Sequence, residues 1–119
     1  MTEPVGFDRH TLVLLRLRPD APRHTPEQAA ELQNRHLAYI ADRVTAGDIV
    51  AVGPPVDQDD ETLRGVSVWS VDPRRARELA EADPAVLAGR LAVEVATWLV
   101  PAGMLTFNRV RVPHSTADV

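Results

Sequence analysis

The sequence predicts an α+β fold in which a strand–helix–strand unit occurs twice, and three observations carry that reading. Four stretches have strand-like composition or period-two alternation, and two have helical spacing of apolar residues. Each helical stretch opens on a capping residue followed by proline. The resulting order, β-α-β-β-α-β, is the split βαβ or ferredoxin-like arrangement, with both helices on one face of the sheet.

Taken in order, the first ten residues read as a loose arm. Thr11 to Arg18 (TLVLLRLR) is apolar on its odd face and half apolar on its even face, as expected of a strand covered on both sides. Thr25, Pro26 and Gln28 form a capping-box start with proline at the first helical position. That helix should run to about Ala46, with Gly47 supplying the left-handed residue that ends it. Leu32, His36, Ile40 and Val44 recur at four-residue spacing, so His36 falls on the buried stripe between aliphatic neighbours.

Asp48 to Val52 reads as a second strand, stopped by Gly53, Pro54 and Pro55. The acidic stretch from Asp57 to Glu61 has no apolar anchor and is expected to be mobile. Arg64 to Val71 alternates as a third strand. Asp72-Pro73 opens a helix to about Ala82, and Asp83-Pro84 repeats the same start for a short turn ending at Gly89. Arg90 to Val100 alternates clearly: Leu91, Val93, Val95 and Leu99 point one way, and Ala92, Glu94, Ala96 and Trp98 the other. The expected organisation is a flexible arm (1–9), one domain (10–103) and an extension (104–119), strand-like over Met104 to Val112 and then disordered.

A physical problem follows from this architecture. The helix-free face carries Trp, Ala and aliphatic residues on several strands, too apolar to leave wet over a whole sheet. Burying it against the same face of a second copy gives an isologous homodimer.

Composition narrows the chemistry. All 13 basic residues are Arg, and the chain has neither Lys nor Cys. That excludes a cysteine nucleophile, a thiolate metal site, a lysine Schiff base and a P-loop lysine. The chain also lacks H-E-x-x-H, H-x-H and G-x-G-x-x-G, so no metal site or dinucleotide cofactor is expected. A net charge of -4 argues against a nucleic-acid partner. No run approaches the ~20 apolar residues of a membrane span, and the N-terminus lacks the apolar core of a signal peptide. The expectation is a cytoplasmic protein whose partners are a second copy of itself and a small molecule.

The block N-R-H-L-A-Y-I at 34–40, A-V-G-P at 51–54, E-A-D-P-A-V-L-A-G at 81–89 and V-A-T-W-L-V at 95–100 resemble the YciI-like family, the YCII-related domain. The resemblance spans about residues 10–103. It implies a ferredoxin-like subunit that pairs as a dimeric α+β barrel, with a His/Asp-centred site near the dimer interface. The family's helical His corresponds to His36, and the Asp of its A-D-P motif to Asp83. One class of relatives is associated with dehydrochlorination of a hydroxylated aromatic compound. The long arm, the acidic loop and the extension past Gly103 depart from the family pattern and bear on what the pocket accepts.

What the resemblance implies for function is general acid–base chemistry: isomerisation, dehydration or dehydrohalogenation of a small cyclic or aromatic metabolite. A neutral imidazole can take or give a proton, and a carboxylate on its other nitrogen fixes the tautomer. Two alternatives keep the same fold: a non-catalytic small-molecule binding protein, and a cofactor-independent oxygenase. The residues alone leave His36 open to a core role and Asp83 to a purely capping one. Gly53 and Pro54 read either as strand terminators or as a rigid pocket edge. Trp98 reads as dimer core or as a stacking platform. Arg16 is a candidate for an anionic substrate or for an ion pair with Glu94 across the interface, the pair being favoured.

Overall fold

In the computed structural model, which describes residues 3–119, period-two alternation sorts the strands into a four-stranded antiparallel sheet. Its strands are β1 (Phe7–Leu17), β2 (Ile49–Gly53), β3 (Leu63–Trp69) and β4 (Leu91–Pro101), in spatial order β2-β3-β1-β4. Three helices cover one face: α1 (Pro26–Thr45), α2 (Pro73–Glu81) and the single turn α3 (Pro84–Leu87). The ferredoxin-like α+β expectation is therefore met at the level of the chain.

Register decides which residues the helices cover. Val13 lies opposite Ser67 of β3 and Val95 of β4, so all three share the covered face. Val13, Leu15, Ile49, Trp69 and Leu91 meet Ala76, Leu79 and Ala80 of α2 in one core. The last three sit at i, i+3 and i+4, the spacing that puts helical side chains on one stripe. The buried polar groups of this layer are satisfied: Thr11 Oγ1 donates to the Val71 carbonyl at 2.8 Å, and Trp69 Nε1 donates to Ser67 Oγ at 2.8 Å. Leu12 lies opposite Val68 and Ala96 on the helix-free face, which also carries Glu94 and Trp98.

The helix ends follow their caps. Thr25 Oγ1 accepts from Gln28 N while Gln28 Oε1 accepts from Thr25 N, completing the capping box of α1. Gly47, just past the end of that helix, has φ of 85°, a left-handed conformation that side chains rarely adopt. Tyr39 ties α1 to α2 by donating its hydroxyl to the Leu79 carbonyl at 2.6 Å.

Three expectations need correction. The first strand begins at Phe7, inside the stretch read as an arm, because residues 7–10 pair with Trp98–Pro101 of the long β4. The start of that arm, residues 1 and 2, lies outside the described residues. The acidic loop has polar rather than apolar anchors: Asp60 accepts from Arg16 and from Thr62, and Gln58 donates to the Leu63 carbonyl. The extension joins no strand of the sheet and has no regular structure over residues 105–113. Its Phe107 instead packs edge-on against His10 at 5.6 Å. Its end is not disordered but forms a 3-10 turn, Thr116–Asp118, held where Asn34 Oδ1 accepts from Thr116 N and Oγ1 at 2.8 and 3.0 Å.

Ile49 is 2% exposed and belongs to the main core. Ile49→Ala should lower unfolding stability by about 2–5 kcal/mol. Urea denaturation should show a reduced midpoint with an unchanged slope.

Candidate functional site

The Asp83-Pro84 start of α3 places a carboxylate where two different donors reach it. As N-cap, Asp83 accepts from Ala85 N through Oδ1 at 2.9 Å. Its other oxygen, Oδ2, lies 2.7 Å from His36 Nδ1. Asp83 is only 1% exposed, so these bonds replace the water that a buried carboxylate gives up. An ionised carboxylate only accepts, so His36 Nδ1 carries the hydrogen, and in the neutral imidazole the lone pair is then on Nε2.

His36 reaches Asp83 because it sits on the inward stripe of α1, one turn after buried Leu32 and one turn before half-buried Ile40. The imidazole is 16% exposed and faces a cleft of about 1050 Å³. Nε2 makes no hydrogen bond within the described residues and is not among the buried, unpartnered atoms, so it is open to a ligand.

That cleft lies at one end of the sheet, where β1 and β2 finish and β3 and β4 begin. One wall is α1, with Ala29, Leu32, His36 and Ile40; another is the end of β2 and the residue after it, with Val52, Gly53 and Pro54. The β2–β3 connection adds Asp57 and Glu61, and the extension adds Val112, Pro113 and Thr116. Asp57 has φ of 61°, left-handed backbone that costs an ordinary side chain free energy.

Of the residues singled out from sequence, the structure brings together His36, Asp83, Gly53 and Pro54. It separates Arg16 and Trp98 from them. Arg16 does pair with Glu94, at 2.9 Å, but within the same chain rather than across an interface, and it also bonds Asp60 at 2.9 Å. Glu94 and Asp60 raise the Arg16 pKa above its ordinary value, so this cation is fully engaged. Trp98 is 44% exposed and lies beside His10 at a ring separation of 6.4 Å, on the helix-free face.

Two lining residues were missed. His24 lies in the β1–α1 connection and Arg90 opens the alternating stretch of β4, yet both border the cleft. Arg90 was findable, since it directly follows the D-P-A-V-L-A-G stretch whose Asp holds His36. His24 gave no such signal, because its place depends on how the β1–α1 connection folds back. Tyr39, on the same helix as His36, remains a protonated donor. Burial pushes its hydroxyl above the ordinary value and Asp83 adds to this, against the pull of Arg43.

No group of three or more His, Cys, Asp or Glu residues able to hold a metal ion occurs among the described residues. Nor is any described helix long and apolar enough to cross a membrane. The arrangement suits proton transfer at one oriented imidazole inside a largely aliphatic wall. Comparison with known proteins adds a match to the family model of the YCII-related domain over residues 12–99. No curated protein matches the chain.

The two roles of Asp83 are separable by substitution. Asp83→Ala removes the α3 cap and the partner of Nδ1, and should cost about 1–3 kcal/mol of stability. Asp83→Asn keeps an oxygen for the Ala85 N–H and should lose less than the alanine variant. Urea denaturation measures the difference. Nitrogen-15 shifts of His36 should show a single Nδ1–H tautomer in the parent protein and a mixture in Asp83→Ala.

Proposed function

Because the chain belongs to the YCII-related domain family, we propose that it is a small cytoplasmic enzyme that moves a proton on a cyclic or aromatic metabolite. His36 acts as general base and acid, and Asp83 is the residue that orients it. The observation carrying this reading is the 2.7 Å bond between His36 Nδ1 and buried Asp83, with Nε2 left open to the cleft. The bond selects the tautomer whose free nitrogen faces the ligand, and it stabilises the imidazolium formed when that nitrogen takes a proton.

The reaction class follows from what the chain can supply. A single base that later returns its proton suits removal of an acidic C–H followed by reprotonation elsewhere or loss of a leaving group. Isomerisation, dehydration and dehydrohalogenation share that first step. Positioned acid–base catalysis contributes typically ~10²–10⁴-fold. The aliphatic wall of Leu32, Leu37, Ile40 and Leu91 favours a compact, mostly apolar substrate body.

The assembly proposed with this site is a homodimer formed through the helix-free face. Trp98 and Ala96 are exposed there, and Leu12, Leu14 and Val66 are half-buried in the single chain. A sheet face of that character is too apolar to remain in water, and an isologous pairing covers it twice with one set of residues.

Proton transfer can be tested before the natural substrate is known. In D₂O the protein should speed deuterium incorporation into at least one member of a panel of cyclic ketones, lactones and hydroxylated aromatics, read by proton NMR. His36→Gln should return the rate to background, a fall of roughly 10²–10⁴. Unchanged exchange in that variant sinks the assignment. For the assembly, light scattering should give a dimer for the parent protein and a monomer when Leu12 and Ala96, paired in register, are both replaced by Asp. A monomeric parent protein rules the interface out.

A further inference from the structure

The cleft also carries a cation without a counterion. Three arginines of the described residues are half-buried: Arg16, Arg43 and Arg90. Arg16 bonds Asp60 and Glu94, and Arg43 bonds Asp48 at 3.0 Å. A half-buried guanidinium gains from an acid that replaces its lost water, and both of these have one, although Arg43 Nε is left buried without a partner. Arg90 has none: it makes no ion pair and no side-chain hydrogen bond among the described residues, and its nitrogens are not among the buried atoms, so they are open to a ligand.

A buried group without a partner lies in the same cleft. His24 Nε2 is buried and has no hydrogen-bond partner. The local fold brings its loop toward Arg90. Arg18 N donates to the Arg90 carbonyl at 2.8 Å, and Pro22 lies close against Gly89. Arg90 N in turn donates to the Ala85 carbonyl at 3.1 Å, two residues from Asp83. The β1–α1 connection, Arg90 and the His36–Asp83 pair therefore adjoin one another.

We infer that Arg90 and His24 form the recognition site for the carboxylate of a small organic acid, whose apolar body reaches His36. This deepens the proton-transfer reading and rests on it for the role of His36. Arg90 supplies the planar pair of donors that matches a carboxylate, and His24 supplies a further N–H once its tautomer places hydrogen on Nε2 and its ring turns that buried atom toward the cleft. The acids of the cleft do not compete for this position. Asp57 and Glu61 belong to the β2–β3 connection, on the other side of β1 from the start of β4, and both are exposed to water. Arg64, also on that side, is exposed and donates to the Glu61 carbonyl at 2.7 Å.

The test is binding by the full-length protein to matched pairs of acids and their neutral amides. Benzoate with benzamide, salicylate with salicylamide, and cyclohexanecarboxylate with its amide make a suitable set, titrated by NMR. At least one acid should bind more tightly than its amide by roughly tenfold to a hundredfold, shifting the side-chain resonances of Arg90 and His24. Arg90→Gln should erase the preference and Arg90→Lys should keep part of it, while His24→Ala should weaken it. In all three the His36 nitrogen-15 shifts should stay as in the parent protein, which shows that the dyad and the fold are intact. Equal binding of acids and amides, no binding by any acid, or a preference unaffected by Arg90→Gln overturns the inference. The two readings fail differently. Loss of the dyad reading appears as His36→Gln leaving deuterium exchange unchanged while acids still bind. Loss of this one appears as indifference to charge while exchange persists.

Discussion

One buried carboxylate holds this structure's chemistry and part of its fold together. Asp83 gives one oxygen to the Ala85 N–H and the other to His36. A helix of one turn, such as α3, gains little from its own hydrogen bonds, because nucleation fixes several residues for each bond formed. Its cap and its packing against α1 are what define it. A shift of α3 would thus disturb the imidazole, and a change in the imidazole would leave a carboxylate oxygen buried without a partner. Structural and functional readings of Asp83 are not rivals, since each takes a different oxygen of the same group.

The position of the cleft follows from connectivity. Antiparallel pairing brings the ends of β1 and β2 and the starts of β3 and β4 to the same end of the sheet. Every connection at that end contributes to one cavity: the β1–α1 loop, the β2–β3 loop and the α3–β4 turn. The helix that crosses above them supplies His36 on a regular element, which holds it more rigidly than a loop does. The chain has no Lys and no Cys to place there. Histidine is the side chain left that titrates near neutrality in its unperturbed state.

The parts of this fold that were legible in the sequence are those governed by local chemistry. Thr25-Pro26, Asp72-Pro73 and Asp83-Pro84 each mark a helix start to the residue. The alternation of β4 assigns its two faces correctly, because only one of them is covered by helices. What escaped was set by partners distant in sequence. Asp8, Arg9 and His10 look like loop residues by composition, and only their pairing with the far end of β4 makes them a strand. The acidic loop looked unanchored because its anchor, Arg16, lies 44 residues away from Asp60. The resemblance identified His36 and Asp83, and the A-V-G-P stretch identified Gly53 and Pro54. Arg16 and Trp98 were placed with them by face and not by position along the strand, so the sheet sends both elsewhere.

The boundary of the matched region divides the cleft in an informative way. His36, Asp83, Arg90 and His24 all fall within residues 12–99, whereas Val112, Pro113 and Thr116 line the same cavity from outside it. On the proposed reading, the groups that move a proton and meet a charge belong to the shared domain, and part of the wall belongs to the extension. A substrate's acidity and charge are then read by His36 on α1, Asp83 at the start of α3 and the two connections beside them. Its length and bulk are read by a segment whose hold on α1 includes the paired hydrogen bonds at Asn34. Hydrogen bonds at an exposed site contribute little net stability, so that wall can be displaced at small cost while the dyad stays in place. On that reading, selectivity for size is the property most easily altered without altering the proposed chemistry.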